Sequence, residues 1–318
     1  MPSASPLYIV FNIGSGHGDA AEAREAIASA CAAAGREHHL LVVDEPKRIA
    51  EIARDAVQRA QQAGGVVVAA GGDGTINAVA QATLGSGCAF GVLPQGTFNY
   101  FSRTHGIPAG VAEAMQVLLT EQTQPVQVGL VNGRVFLVNA SLGLYPALLE
   151  DREAWKAQLG RSRLVAFGAG LATLLRAHRN LRLQFDLHGS DGEARDVRTP
   201  TLFVGNNALQ MEQLGFPEAQ AIDAGRLAAI ALRPVGRLEM LWLLLRGAAG
   251  QLSDADQVMS FPFDRLTVRA SRGFGKRRIK IATDGEVSWL QFPLHFSVAP
   301  EPLLLIRPAT APAERAAP

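Results

Sequence analysis

The sequence predicts an α/β domain followed by a β-rich one, and three observations carry that reading. Strand-like apolar runs alternate with helical patterns through the first 125 residues, and such alternation builds a doubly wound sheet with helices on both faces. Beyond Pro125 the runs become short and turn-separated, as in a β-sandwich interrupted by helices. At 318 residues the chain is also long for one core, so two domains are expected. The boundaries fall at 1–125, 126–307 and a tail, 308–318.

In order, Leu7–Phe11 reads as the first strand, followed by a Gly-rich turn and an Ala-rich helix that ends at Gly35. Leu40–Val43 is the second strand. Pro46 suits a first helical turn, and that helix runs to about Ala63, before Gly64-Gly65. Val66–Ala70 is continuously apolar, as a strand buried on both faces requires. Ile76, Val79, Ala80 and Thr83 recur at helical spacing. Phe90–Leu93 then gives a strand and Pro108–Leu119 a helix. In the second domain, Val126–Val131 and Arg134–Ala140 flank Asn132-Gly133, a two-residue hairpin signal. Further strands are expected over Leu181–Leu187, Thr201–Val204, Leu227–Leu232, Leu266–Ala270, Arg278–Thr283 and Pro293–Val298. Helical insertions are expected over Arg152–Arg179 and Arg237–Leu252, and a frayed Ala/Pro/Arg-rich tail over Pro308–Pro318.

Composition bounds the partners. Thirty Lys and Arg against twenty-nine Asp and Glu leave a net charge of +1, so no global field favours nucleic acid. Cys31 and Cys88 have neither a partner nor a His at metal-ligand spacing, and idle thiols in a reducing compartment are expected. No signal peptide is recognised, and Leu241–Leu245 is too short to span a bilayer. The expectation is a cytoplasmic protein, with a homodimer compatible.

Val66–Ala70 leads through Gly71-Gly72-Asp73-Gly74-Thr75 into a helix. Glycines let backbone N–H groups approach an anion, and the helix start adds partial positive charge. Thr75 adds a hydroxyl. Asp73 repels phosphate, so its presence points to holding Mg²⁺ through water or orienting an acceptor hydroxyl. A tight turn with Asp73 as a cap is the plainer reading of a lone Gly-rich turn. Two more turns weigh against it: Asn12-Ile13-Gly14-Ser15-Gly16 after the first strand, and Pro94-Gln95-Gly96-Thr97-Phe98-Asn99 after the fourth. Three such turns at strand C-termini make a nucleotide site.

The order of these segments resembles the diacylglycerol kinase catalytic domain of bacterial lipid kinases, to which sphingosine kinases are related; NAD kinases share the Gly-Gly-Asp-Gly turn. Val128-Gly129, Asn139–Gly143, Phe203–Asn207 and Asp284-Gly285-Glu286 continue the likeness, which covers roughly Leu7 to Pro308. The resemblance implies a Rossmann-like first domain and ATP in an interdomain cleft. It places the nucleotide at Asn12, Ser15, Gly16, Gly71, Gly72, Gly74, Thr75, Thr97 and Asn99, and makes Glu286 general base on a lipid hydroxyl, with Asp73 catalytic and a ligand of Mg²⁺. On residues alone, Asp284-Gly285 reads as a hairpin turn.

Three positions depart from the family pattern: Ile13 stands for proline, Tyr100 for an aspartate, and Ala224 for the carboxylate of an accessory metal loop, leaving Asp223 as a substitute one residue away. The expected activity is ATP-dependent phosphorylation of a diacylglycerol-like lipid. The alternatives are another lipid alcohol, such as a sphingoid base or phosphatidylglycerol, and a weakened nucleotide- or lipid-binding protein.

A basic segment over residues 152–182, with interleaved Trp155, Leu164 and Phe167, suits an anionic leaflet as well as a solvated helix face. It gives a transient peripheral contact at the inner membrane face. Arg272, Lys276, Arg277, Arg278 and Lys280 form a second cluster before Glu286.

Overall fold

Residues 5–15, 20–144, 146, 180–187, 194–248, 251–253, 255–271 and 278–309 are described by the computed structural model. They divide into two units, Met1–Gln127 with Pro300–Pro318, and Val128–Ala299.

The first unit is built on β1 (Leu7–Asn12), β2 (His38–Val43), β3 (Val66–Gly71) and β4 (Ala89–Pro94), all parallel. β3 is buried along its whole length, because helices cover both faces of such a sheet and its Val-rich run has no wet side. The helices are α1 (Ala20–Ala33), α2 (Ile49–Ala63), α3 (Asp73–Thr83), α4 (Tyr100–Thr104) and α5 (Val111–Thr120). α2 ends where Gly64 turns left-handed at φ 62° and donates its N–H to the Ala60 carbonyl, a glycine stop. At Gly65 a Cβ would stand 2.7 Å from the Pro6 carbonyl oxygen and 2.8 Å from the Tyr8 ring. Only glycine lets β3 enter beside β1.

The expected second boundary at residue 307 is corrected. β18 (Leu303–Ile306) returns to the first sheet, antiparallel to β5 (Thr123–Val126), with Leu305 facing Phe90 of β4. The strand order is β2-β1-β3-β4-β18-β5. Leu303, Leu305 and Ile306 are buried there, so the return covers the apolar flank of β4. The expected strand Val126–Val131 divides accordingly, β5 ending at Val126 and β6 starting at Gly129. Most of the expected tail, residues 310–318, lies outside the described residues.

The second unit stacks two antiparallel six-stranded sheets. One contains β6 (Gly129–Val131), β7 (Arg134–Phe136), β9 (Leu181–Leu187), β10 (Arg195–Thr199), β14 (Arg265–Ala270) and β17 (Leu294–Val298), ordered β10-β9-β14-β17-β6-β7. The other contains β8 (Asn139–Gly143), β11 (Thr201–Gly205), β12 (Leu227–Leu232), β13 (Val258–Phe263), β15 (Arg278–Thr283) and β16 (Glu286–Gln291), ordered β13-β12-β11-β8-β15-β16. Phe136, Phe185, Leu266 and Phe296 of the first meet Leu142, Val204, Phe263 and Ile281 of the second in one core. This is a sandwich, as alternating inward residues on two sheets dictate.

Asn132 and Gly133 both take positive φ, 50° and 77°, and join β6 to β7 as a tight hairpin. α6 (Ala208–Gln213), α7 (Ala219–Asp223) and α8 (Arg237–Ala248) follow β11 and β12. The insertion expected over Arg152–Arg179 lies outside the described residues. No described helix is long and apolar enough to cross a membrane.

Candidate functional site

The C-terminal ends of β1, β3 and β4 bring the three turns together. The register pairs Phe11 with Ala70 and Gly71 with Pro94, so Asn12, Gly72 and Gln95 leave the sheet at one edge. Asn12 Nδ2 donates to Thr75 Oγ1 at 2.8 Å, and Asn12 Oδ1 accepts from the Gly14 N–H at 3.0 Å. Ser15 Oγ lies 2.8 Å from the Asn12 carbonyl and 3.3 Å from Gln95 Oε1. The Gln95 N–H donates to the Gly71 carbonyl at 2.8 Å. Asn12 therefore braces the first two turns, and Ser15 with Gln95 ties the first to the third.

The third turn folds on Asn99, which is left-handed at φ 47° and buried. Its Oδ1 accepts from the Gly96 N–H at 3.0 Å and its Nδ2 donates to the Gly96 carbonyl at 2.9 Å. A Cβ on Gly96 would stand 2.8 Å from Asn99 Oδ1 and 3.0 Å from Gly72 Cα, so the second and third turns touch through glycine backbone. Thr97 is exposed, whereas Thr75 is 4% exposed. Thr75 and Asn99, expected as nucleotide contacts, shape the site from within.

Asp73 opens α3 and its Oδ2 accepts from the Asn99 N–H at 3.1 Å. The Tyr100 and Phe101 N–H groups also face this carboxylate, so it caps α4, the helix next along the chain. A cap was the plainer reading of Asp73, but of its own turn. Burial pushes the Asp73 carboxyl above its ordinary pKa, and these N–H groups pull against that shift. Its Oδ1 is closed to solvent and without a hydrogen-bond partner.

This geometry fits a triphosphate: a helix start, glycine backbone packed too closely for side chains, and hydroxyls at the rim. It does not fit a metal held directly by Asp73, since one oxygen is taken by N–H groups and the other is enclosed. Asp223 is exposed at the end of α7, and the described residues contain no cluster of three or more His, Cys, Asp or Glu able to hold a metal. Gly16 lies outside the described residues.

In the second unit, β15 and β16 join through Asp284 and Gly285, both at positive φ, 49° and 88°, with Thr283 paired to Glu286. The hairpin turn is real, and its aspartate does more than turn. Asp284 accepts from the N–H groups of Leu137, Val138 and Asn139 at 2.7, 2.9 and 3.0 Å. Those residues carry the chain from β7 to β8, so Asp284 pins the turn to the crossing between the two sheets. Glu286 opens β16 with its side chain exposed.

The Asn139 and Asn206-Asn207 segments meet the same end of this sheet. Asn206 Nδ2 donates to the Leu137 carbonyl at 3.0 Å, and Asn207 Oδ1 caps α6 through the Gln210 N–H at 2.9 Å. The roles of Asp284 and Gln95 were not read from sequence. An Asp-Gly turn carries no mark of a partner about 146 residues away, although Asp at a left-handed position signals a side chain with local work to do. Of the basic clusters, Arg182, Arg278 and Lys280 are described; 152–179, Arg272, Lys276 and Arg277 lie outside the described residues.

Residues 6–131 match the family model of the diacylglycerol kinase catalytic domain. A protein of Klebsiella pneumoniae (strain 342) named "Probable lipid kinase YegS-like" is 39% identical over 98 residues, 30% of this chain and 33% of that protein. The "Diacylglycerol kinase" of Staphylococcus haemolyticus (strain JCSC1435) is 27% identical over 189 residues, 58% of this chain and 56% of that protein. Both matches span less than two thirds of the relative's length. A solved structure described as a diacylglycerol kinase from Bacillus anthracis str. Sterne superposes with a TM-score of 0.68 at 20% identity, covering 96% of this chain and 97% of that one; at that identity the likeness is one of fold.

Proposed function

We propose, with residues 6–131 being a diacylglycerol kinase catalytic domain as the premise, that this protein transfers the γ-phosphoryl group of ATP to the hydroxyl of a diacylglycerol-like lipid. The observation that carries the reading is the contact of Gly72 with Gly96 at the mouth of α3. There, two turns and a helix start meet through glycine backbone with no Cβ between them, the kind of surface at which backbone N–H groups receive an anion.

The chain's own groups have separable tasks. The N–H groups of residues 71–74 and the Ser15 and Thr97 hydroxyls bind and orient the triphosphate. Asn12, Thr75 and Asn99 hold those groups in place. Asp73 fixes the third turn by capping α4. Glu286 takes the proton of the attacking lipid hydroxyl, which departs late in a loose transition state, so a carboxylate suffices as base. Asp284 keeps that base on a fixed strand end. Mg²⁺ bound with the phosphates would neutralise their charge; no protein carboxylate is assigned to it. The protein meets its lipid peripherally, and the basic segment 152–182 is the proposed contact with an anionic leaflet.

Transfer of labelled γ-phosphate to diacylglycerol, sphingoid base and phosphatidylglycerol in mixed micelles tests the proposal. Diacylglycerol is expected to be labelled, and Glu286→Gln to lower kcat by about 10²–10⁴-fold, the usual contribution of a positioned base, with ATP affinity unchanged. Equal turnover by Glu286→Gln removes the base assignment. Absence of any labelled lipid, with ATP still bound, leaves a binding protein instead.

A further inference from the structure

We infer that the outer face of the sheet β10-β9-β14-β17-β6-β7 carries a site for a phosphate ester, built around Arg182 of β9 and Arg198 of β10. The register places these two residues directly opposite one another on adjacent antiparallel strands. Leu183 and Phe185 of β9 and Val197 of β10 pack into the sandwich core. Alternation therefore sends Arg182, Gln184, Asp196 and Arg198 to the other face. Like charges directly opposite in such a pair destabilise it, and here they are two arginines.

The two acids on the same face each have another partner. Asp186 is engaged by Arg269 Nη1 at 2.7 Å, and Asp196 Oδ1 accepts from Ser271 Oγ at 3.0 Å. Among the described residues neither Arg182 nor Arg198 forms an ion pair. Both arginines are exposed and, with Gln184, Asp196, Val197 and Ser271 among the described residues, line an open cavity of about 680 Å³.

The lining selects the ligand. Guanidinium groups donate paired, planar N–H bonds that match phosphate oxygens. Asp196, on the same side of the cavity, disfavours a bare phosphate dianion and accepts from a hydroxyl. Gln184, its cross-strand partner, offers an amide to the same neighbour. Among the described lining residues, two cations, one acceptor-only carboxylate and an amide together suit a phosphate ester with a hydroxyl on the adjacent carbon, as in phosphoglycerol. Such a group occurs free or as a lipid headgroup. The site lies within the second unit and stands whether or not the kinase reading does.

The experiment uses the full chain and reads its melting temperature against glycerol 3-phosphate and inorganic phosphate, with circular dichroism to verify folding. Wild type is expected to gain stability with glycerol 3-phosphate at lower concentration than with phosphate. Arg198→Gln and Arg182→Gln are each expected to melt higher than wild type without ligand, because the repulsion is gone. Each is expected to need at least about tenfold more ester for the same shift, the loss of a charge-assisted hydrogen bond. A ligand response that survives unchanged in both variants overturns the site, as does a wild type that responds to neither compound. Sedimentation with phosphatidylglycerol against phosphatidylcholine vesicles then assigns the source. Binding to the former that Arg198→Gln abolishes identifies a headgroup; a shift with the free ester and no vesicle binding identifies a small metabolite.

Discussion

Asp73 caps a helix that its place in the Gly-rich turn does not announce. Its position in the Gly-rich turn is visible in sequence, but its N–H donors come from Asn99 to Phe101, across a strand and a loop. Removing it by Asp73→Ala is expected to cost about 0.5–2 kcal/mol, the range for a lost helix cap. Chemical denaturation would read this, and Asp73→Asn, which keeps an acceptor, is expected to cost less. Gly96→Ala forces a Cβ against Gly72 Cα and Asn99 Oδ1, an overpacking worth about 1–3 kcal/mol. A titration calorimeter should then register weakened ATP binding, and unaltered affinity would contradict the tight contact. His105 adds a pH term. Burial, then the charge of Arg307, lowers its pKa to about 3, and its Nδ1 lies 3.3 Å from Arg307 Nη1. A group whose folded pKa is depressed gives stability above its unfolded pKa and loses it on acidification. The melting temperature is expected to fall between about pH 6.5 and 3, and His105→Asn to flatten that fall. Asp73, with a raised pKa, works in the opposite sense over the lower part of the range.

At the scale of elements, legibility followed position in a sheet. Interior strands such as Val66–Gly71 and Leu227–Leu232 are apolar runs, because both neighbours and a packed face demand it. Of the strands not anticipated in the second unit, β10, β13 and β16 lie at sheet edges, whereas the interior β8 is run together with β7 in the expected strand Arg134–Ala140. Edge strands need only one apolar face, tolerate charge, and can hold a proline such as Pro262, so their sequences carry less pattern. β18 was missed for another reason. Leu303–Ile306 is a strongly apolar run, but its partners stand about 180 residues earlier in the chain, and local pattern does not reveal a partner at that distance. Leu305 is fully buried between β4 and β5. Leu305→Ala is expected to cost about 2–5 kcal/mol, measurable as a shift of the urea midpoint. A change below about 0.5 kcal/mol, typical of surface sites, would mean that β18 is dispensable.

For the whole molecule, the glycine turns on which the proposed phosphate binding rests are legible because they are short, contiguous and at strand ends. The proton-accepting half rested on family likeness, since Glu286 in isolation is an exposed residue beside a hairpin turn. What anchors it, the three N–H bonds to Asp284, is long-range and invisible to spacing. Two of the three departures expected from the resemblance, Tyr100 and Ala224, bear on the proposed metal chemistry, and Asp73 is occupied as a cap.

The return of β18 has a consequence for biosynthesis. A ribosome releases residues 1–127 well before Leu303–Ile306, so the nascent first unit waits with the flank of Phe90 uncovered and β5 lacking its antiparallel neighbour. Chaperone dependence should therefore concentrate in that interval, and a chain stopped at residue 127 should yield aggregates where the 318-residue chain yields folded protein.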